Sequence, residues 1–275
     1  MLHRLRSDKK AISPAISTVI ITSAIVVMLL ITVVFANNYM NARMAENEFN
    51  AMKQFMQTIG LQIDDVAWTV GRTQTMSYAS KFGQITFQTV ALNYALYVNS
   101  TNTWIANFTT GALFFNMPTS SYNIANGYKE FIFPTSNSSF LLQGTSAPIS
   151  HVFVIERVPM NDGNYIRVVV GPSIRMLNST VTTVSYYNFY LPILQPSGNN
   201  PHVSQSVTLT AVASNVNTIQ NINEIRITVD FPQSALGFDS TFFNFNSSLA
   251  DVQVPPGSSL EFYTGNVTVS LGVYA

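Results

Sequence analysis

The sequence predicts a long N-terminal α-helix followed by an all-β head built of sandwich-like antiparallel sheets. Three observations carry that expectation. No charged residue occurs from Ala11 to Ala42. Apolar residues then recur at alternating spacings of four and three as far as Val66. From about Thr73 onward, short runs rich in Val, Ile, Thr, Tyr and Phe are separated by Gly, Pro, Asn and Ser, with no second amphipathic helix of useful length. Such short β-branched and aromatic runs are the mark of an all-β domain.

The first ten residues, MLHRLRSDKK, place Arg4, Arg6, Lys9 and Lys10 against Asp8 alone. The apolar core of the uncharged run is Ile12 to Ala36, 25 residues. As a helix it is about 37 Å long, more than the roughly 30 Å of a bilayer's hydrocarbon. The residues therefore predict a membrane helix over 12–40, with the basic cluster cytoplasmic and the bulk of the chain outside. A secretory signal fits worse: its apolar stretch runs about 7–15 residues and ends in small residues, whereas Asn37 and Asn38 end this one. Ser13 is a good N-cap and Pro14 suits a first helical turn, so the helix is expected to begin at that junction.

Residues 41–70 predict an amphipathic extension of the same helix. Its seam is Ala45, Phe49, Met52, Met56, Ile59, Ile63 and Val66, an a/d-type pattern. That seam packs on the chain's own β head, or joins a bundle of helices, or does each along different turns. The head, 71–275, offers candidate strands at Gln74–Ser80, Gln84–Val90, Tyr94–Asn99, Trp104–Thr109, Tyr128–Phe133, His151–Val158, Tyr165–Val170, Thr180–Tyr190, Val203–Ala213, Glu224–Phe231 and Leu260–Tyr274. Asn161-Asp162-Gly163-Asn164 is a hairpin signal between two of them. A candidate subdivision of the head falls near 195–202, because Gln195 to Pro201 is the most loop-like stretch in the chain.

The junction Lys9-Lys10-Ala11-Ile12-Ser13-Pro14, with the apolar run behind it, resembles the class III signal of archaeal type IV pilins. The resemblance covers roughly residues 1–40. It implies that a prepilin-type peptidase cuts between Ala11 and Ile12 on the cytoplasmic side and leaves the helix in place. The 1–11 leader would be lost, and a chain of 264 residues would keep nine basic against twelve acidic side chains. The resemblance further implies copies of the chain packed through Ile16, Ile20, Val26, Val27, Leu29, Leu30 and Phe35 into a helical filament. It implies assembly machinery as a partner and the membrane as the site before assembly. Ile16 stands five residues after the cut, where bacterial pilins usually carry Glu.

Composition narrows the chemistry. Charged residues make up 9% of the chain, 13 basic and 13 acidic, against about 25% in an ordinary soluble domain. Polarity rests instead on 26 Asn, 28 Ser and 26 Thr, so copies approach one another with little repulsion. Zero net charge argues against a nucleic-acid partner. The absence of cysteine excludes disulfides, thiolate metal sites and a cysteine nucleophile. The histidines, His3, His151 and His202, lack partners at ligand spacing. Asp64 and Asp65, adjacent on a helix, diverge by about 100° and do not share a cation readily. There is no phosphate-binding loop and no G-x-S-x-G, so no enzyme, cofactor or metal is expected.

Sequons stand at Asn99, Asn107, Asn137, Asn178, Asn246 and Asn266, candidates for N-glycosylation. With one residue in five Ser or Thr, chance alone yields about five. Two aromatic clusters, Phe242-Phe243-Asn244-Phe245 and Tyr186-Tyr187-Asn188-Phe189-Tyr190, serve either the sheet core or a contact between subunits, since consecutive residues of a strand face opposite ways. The expected function is a structural subunit of an extracellular pilus-like filament for surface adhesion or cell–cell contact. The alternative is a single-pass anchored β-sandwich binding module that does not polymerise.

Overall fold

The computed structural model describes residues 9–98, 103–125, 127–135, 137–157, 164–198 and 205–272. One long helix, α1 (Lys9–Ala67), precedes an all-β region. The chain divides into two compact units, residues 1–47 and 48–275.

In the first unit, every residue from Ile16 to Met44 is exposed. Polar side chains inside this apolar stretch bond to the helix itself. The Thr22 hydroxyl donates to the Thr18 carbonyl at 2.9 Å, and that of Thr32 to the Met28 carbonyl at 2.8 Å. Such back-bonding satisfies a hydroxyl where no water is at hand. The helix is already formed at Lys9, so Ser13 is not its N-cap as the sequence predicted. Lys9, Lys10 and Ala11 are good helix formers, and Pro14 falls in the second turn, where its missing N–H removes a single backbone bond.

The second unit opens with the α1 turns that carry the seam. Phe49, Met52, Met56, Ile59, Ile63 and Val66 are all buried, at most 2% exposed. They form one core with Leu113, Phe115, Val152, Val154, Val168 and Val170 and with residues of three later strands. The seam therefore packs on the chain's own sheet.

Eleven strands occur among the described residues: β1 (Thr73–Ser77), β2 (Gln84–Val98), β3 (Thr103–Pro118), β4 (Lys129–Phe133), β5 (Leu141–Gln143), β6 (Ser150–Arg157), β7 (Tyr165–Pro172), β8 (Ile174–Val181), β9 (Val184–Pro196), β10 (Ser206–Asp230) and β11 (Leu249–Leu271). They pair in the order β4-β6-β7-β3-β2-β10-β11-β9-β8-β5, with β1 on β10. The β11–β9 and β5–β8 pairings are parallel and the rest antiparallel. The sheet is thus large and mixed, where antiparallel pairing alone was expected.

A second core explains how one sheet buries both faces. Along β6, Val152 and Val154 belong to the helix-side core, while Phe153 and Ile155 belong to the other. Along β7, Val168 and Val170 face the helix and Val169 faces away. Strands covered on both sides read as continuous apolar runs, as Val168-Val169-Val170 does. Both cores draw on strands before and after the 195–202 segment.

Several strands are longer than their sequence signals. A bulge between Gln88 and Leu92 joins two predicted runs into β2. The Asn-rich segment 214–223 continues β10 between its predicted halves, in regular register as far as Ile219 and irregularly beyond it. The single run Thr180–Tyr190 is instead a hairpin end, turning at Thr182 with φ 58°. β6 and β7 form the predicted hairpin, and its turn at 161–163 lies outside the described residues.

The junction of α1 with the sheet leaves no room at Gly265. A Cβ built there lies 2.4 Å from the Ala67 carbonyl oxygen, on backbone that cannot swing aside. At Gly198 a Cβ meets nothing within 4 Å. Gly265→Ala is therefore expected to cost about 1–3 kcal/mol, in the range of overpacking, and Gly198→Ala to leave stability unchanged. Thermal unfolding of the detergent-solubilised chain followed by circular dichroism checks both, and equal melting temperatures would contradict the close contact.

Candidate functional site: the exposed apolar helix

The largest exposed apolar surface among the described residues is the helix of the first unit. Ile16, Ile20, Val26, Val27, Leu29, Leu30 and Phe35 are 53–72% exposed. These residues point in all directions around the axis, so the surface is a cylinder and not a stripe. A helix apolar all round belongs in lipid or among other helices. Helix length and composition suffice for one membrane crossing within Ile16–Ala67. Lys9, Lys10, Ala11 and Ile12 occupy the first helical positions; their side chains are outside what is described.

The second unit holds the seam in place partly through one carboxylate. Glu48 accepts backbone N–H bonds from Lys81 at 2.8 Å, Phe82 at 2.9 Å and Gly83 at 3.2 Å, and a bond from the Ser80 hydroxyl. Three amides converging on one anion form a nest. The loop between β1 and β2 is thereby tied to the start of the seam. Lys53 pairs with Glu130 at 2.6 Å, and the Tyr128 hydroxyl donates to the same carboxylate. No sequence motif marks Glu48, because its partners are main-chain groups that sequence does not distinguish.

Among the described residues the acidic groups near the seam are taken up in separate ion pairs and hydrogen bonds. Asp64 accepts from Arg175 at 3.2 Å and from the Trp68 indole at 3.1 Å, while Asp65 pairs with Arg72. The two carboxylates thus serve different partners. A cleft of about 170 Å³ is lined by Gly60, Asp64, Thr145, Ser146 and Arg175 among others, and the charges lining it among the described residues are that Asp64–Arg175 pair. Among the described residues no group of three or more His, Asp or Glu side chains is placed to hold a metal. His202 lies outside them.

Phe242, Phe243 and Phe189 are core residues, whereas Tyr186, Tyr187 and Tyr190 are half-buried. Phe242 and Phe243 are 0% and 1% exposed. They sit in a short helix, α2 (Ser240–Phe243), capped by Asp239 accepting from the Phe242 amide at 2.9 Å. Asn244 then adopts φ 55° and turns Phe245 back toward Phe140 and His151. The contact between subunits considered for this cluster is therefore not available to its first two rings: a helical turn, not a strand, lets neighbouring residues face one core. In the other cluster Phe189 stacks on Phe262 and Tyr190 on Tyr263.

Among the sequons, Asn107, Asn137, Asn178 and Asn246 are exposed. Asn266 lies within β11 with its Oδ1 buried, and Asn99 is outside the described residues.

His151 is 1% exposed with Phe245 edge-on at 5.5 Å. Burial lowers its pKa from 6.5 to about 4, against a small opposing effect of the Asn137 backbone. The unfolded chain therefore takes up this proton first as pH falls. Stability from the neutral ring is complete above about pH 6.5 and is lost progressively toward pH 4, by up to about 3 kcal/mol. His151→Phe, which keeps the aromatic packing, is expected to flatten the stability profile between pH 6.5 and 4. Chemical denaturation at several pH values checks this, and identical profiles for the two proteins would contradict it. No protein-family model, no curated protein and no solved structure matches the chain.

Proposed function

We propose that the chain is a structural subunit of an extracellular, type IV pilus-like filament that mediates surface adhesion or cell–cell contact. The observation that carries this reading is the unbroken exposure of apolar residues from Ile16 to Met44. In water that surface is unstable, because its burial is worth about 25 cal/mol per Å². A bilayer covers it first. A bundle of identical helices covers it equally well, so extraction from lipid into a filament need not expose it.

The basic leader and the Lys9-Lys10-Ala11-Ile12-Ser13-Pro14 junction support processing by a prepilin-type peptidase before assembly. The chain would insert with its N-terminus cytoplasmic, be cut there, and end at the cell surface. The sparse charge of the β head supports close packing of copies along a filament. Glycans at exposed Asn107, Asn137, Asn178 or Asn246 would hydrate the outer surface without adding protein charge.

Val26 and Leu29 lie deep in the apolar stretch, at 54% and 59% exposure. Val26→Asp and Leu29→Asp place a carboxylate where the bundle would exclude water, at a cost of about 2.5–3.5 kcal/mol per subunit at a bilayer centre. Electron microscopy of sheared surface material should show filaments for the unmodified chain and none for either variant. Normal filaments from both variants would overturn assembly through the helix. Absence of filaments even from the unmodified chain, in cells that display it, would favour a membrane-anchored module that does not polymerise.

A further inference from the structure

Among the described residues, strand β10 has a gap along one edge. On one side it pairs with β11 almost throughout. On the other side β1 covers Ser206–Thr210 and β2 covers Ile225–Asp230. Gly71 and Arg72 bond to Ala211. From Ala213 to Ile219 no described backbone group bonds the edge that faces away from β11. The seven residues run in unbroken register with Asn266 to Leu260, and register irregularities bound them at Ala211/Ala213 and Ile219/Ile222. Bulges of this kind bend a strand, and the stretch between them keeps a single register.

Among the described residues this edge lacks the usual protection. Soluble proteins blunt a free edge with charge, proline or a covering element. Here no charged residue and no proline occurs from Ser206 to Asn223. Residues 214–218 are exposed, and Val212 and Val216 are 54% and 51% exposed. The same edge already shows what kind of strand it accepts. Just upstream, β1 docks with its Thr73 and Thr75 hydroxyls against Thr210 and Thr208 at 3.1 and 3.0 Å.

The segment is also complementary to itself. It reads Ala-Ser-Asn-Val-Asn-Thr-Ile from Ala213 to Ile219. An antiparallel copy centred on Val216 sets Val216 opposite Val216 and Asn215 opposite Asn217. Ser214 then faces Thr218, and Ala213 faces Ile219. Hydroxyl meets hydroxyl, amide meets amide and apolar meets apolar, with no like charges opposed. Directly opposed pairs of these kinds are the ones that stabilise a sheet. A two-fold contact uses one patch twice, and only a self-complementary patch permits it.

We propose that this edge of β10 is a docking surface for a second copy of the chain. The two Ala213–Ile219 segments pair antiparallel about a two-fold axis at Val216. The contact does not depend on the helix, so it would join two filaments side by side or two anchored chains on a membrane. The Asn and Thr side chains around it keep a solitary head soluble.

The chain contains no cysteine, so introduced thiols report the contact without background. Opposed residues of an antiparallel ladder lie about 4.5–5.5 Å apart at Cα, within the span of a disulfide. Diagonal neighbours lie about 7–8 Å apart, beyond it. Full-length Val216→Cys, in native membranes under mild oxidation, should shift to twice the chain's mass on a non-reducing gel. Asn215→Cys alone and Asn217→Cys alone should stay at single mass, and mixing those two chains under distinct tags should produce a doubly tagged dimer. Val181→Cys, on an exposed strand residue elsewhere, measures chance collision. Circular dichroism of each variant confirms folding, and the Asn215/Asn217 pair tests the register if Val216→Cys misfolds. The proposal fails if Val216→Cys cross-links no more than Val181→Cys. Asn215→Cys alone cross-linking as well as Val216→Cys would exclude the register, and a cross-link to a protein of different mass would exclude a second copy as the occupant.

Discussion

The second unit depends on the packing of the α1 seam against its sheet. Phe49, Met52, Met56, Ile59, Ile63 and Val66 supply one wall of a core whose other wall comes from β3, β6, β7 and the last three long strands. Without that helix, the outward residues of β6 and β7 would be an exposed apolar face. The strands themselves are consistent with a permanent cover, since they are apolar on both sides. Glu48 and Gly265 sit at the two ends of this contact. The first ties the helix to the β1–β2 loop through three amides, and the second lets β11 approach the last helical residue.

The same helix has two chemistries along its length. As far as Met44 its residues are exposed, mostly apolar up to Ala36, and from Phe49 on it buries a narrow seam. Spacing explains the difference. A four-three repeat concentrates apolar residues on one stripe that a single sheet can cover. The earlier stretch has no polar face, so no single sheet can satisfy it. That asymmetry is why the functional reading rests on the first unit, while the head is read as the exposed body.

Much of this was legible in the residues. The seam was legible because burial of a helix stripe demands a fixed period, and the β6–β7 hairpin because its strands are short and well bounded. The extents of β2 and β10 were not. Their bulges let polar segments such as Ser214 to Asn217 remain in a ladder held by main-chain bonds, to which side-chain patterning is blind. The parallel pairing of β11 with β9 has no local signal either, because it depends on which distant strands meet. How the run at Phe242 packs was not legible because α2 is only four residues long, too short to show a helical period. For the candidate site, the apolar helix was fully legible, whereas Glu48 and the open edge of β10 emerged only from the main chain.

The central claim is that the apolar helix is kept after removal of a leader and then leaves the membrane within an assembly. N-terminal sequencing of the native protein, from sheared surface material and from membranes separately, tests that claim most directly. The account predicts a chain beginning at Ile12 in the sheared fraction. A chain beginning at Met1 and confined to membranes would contradict it.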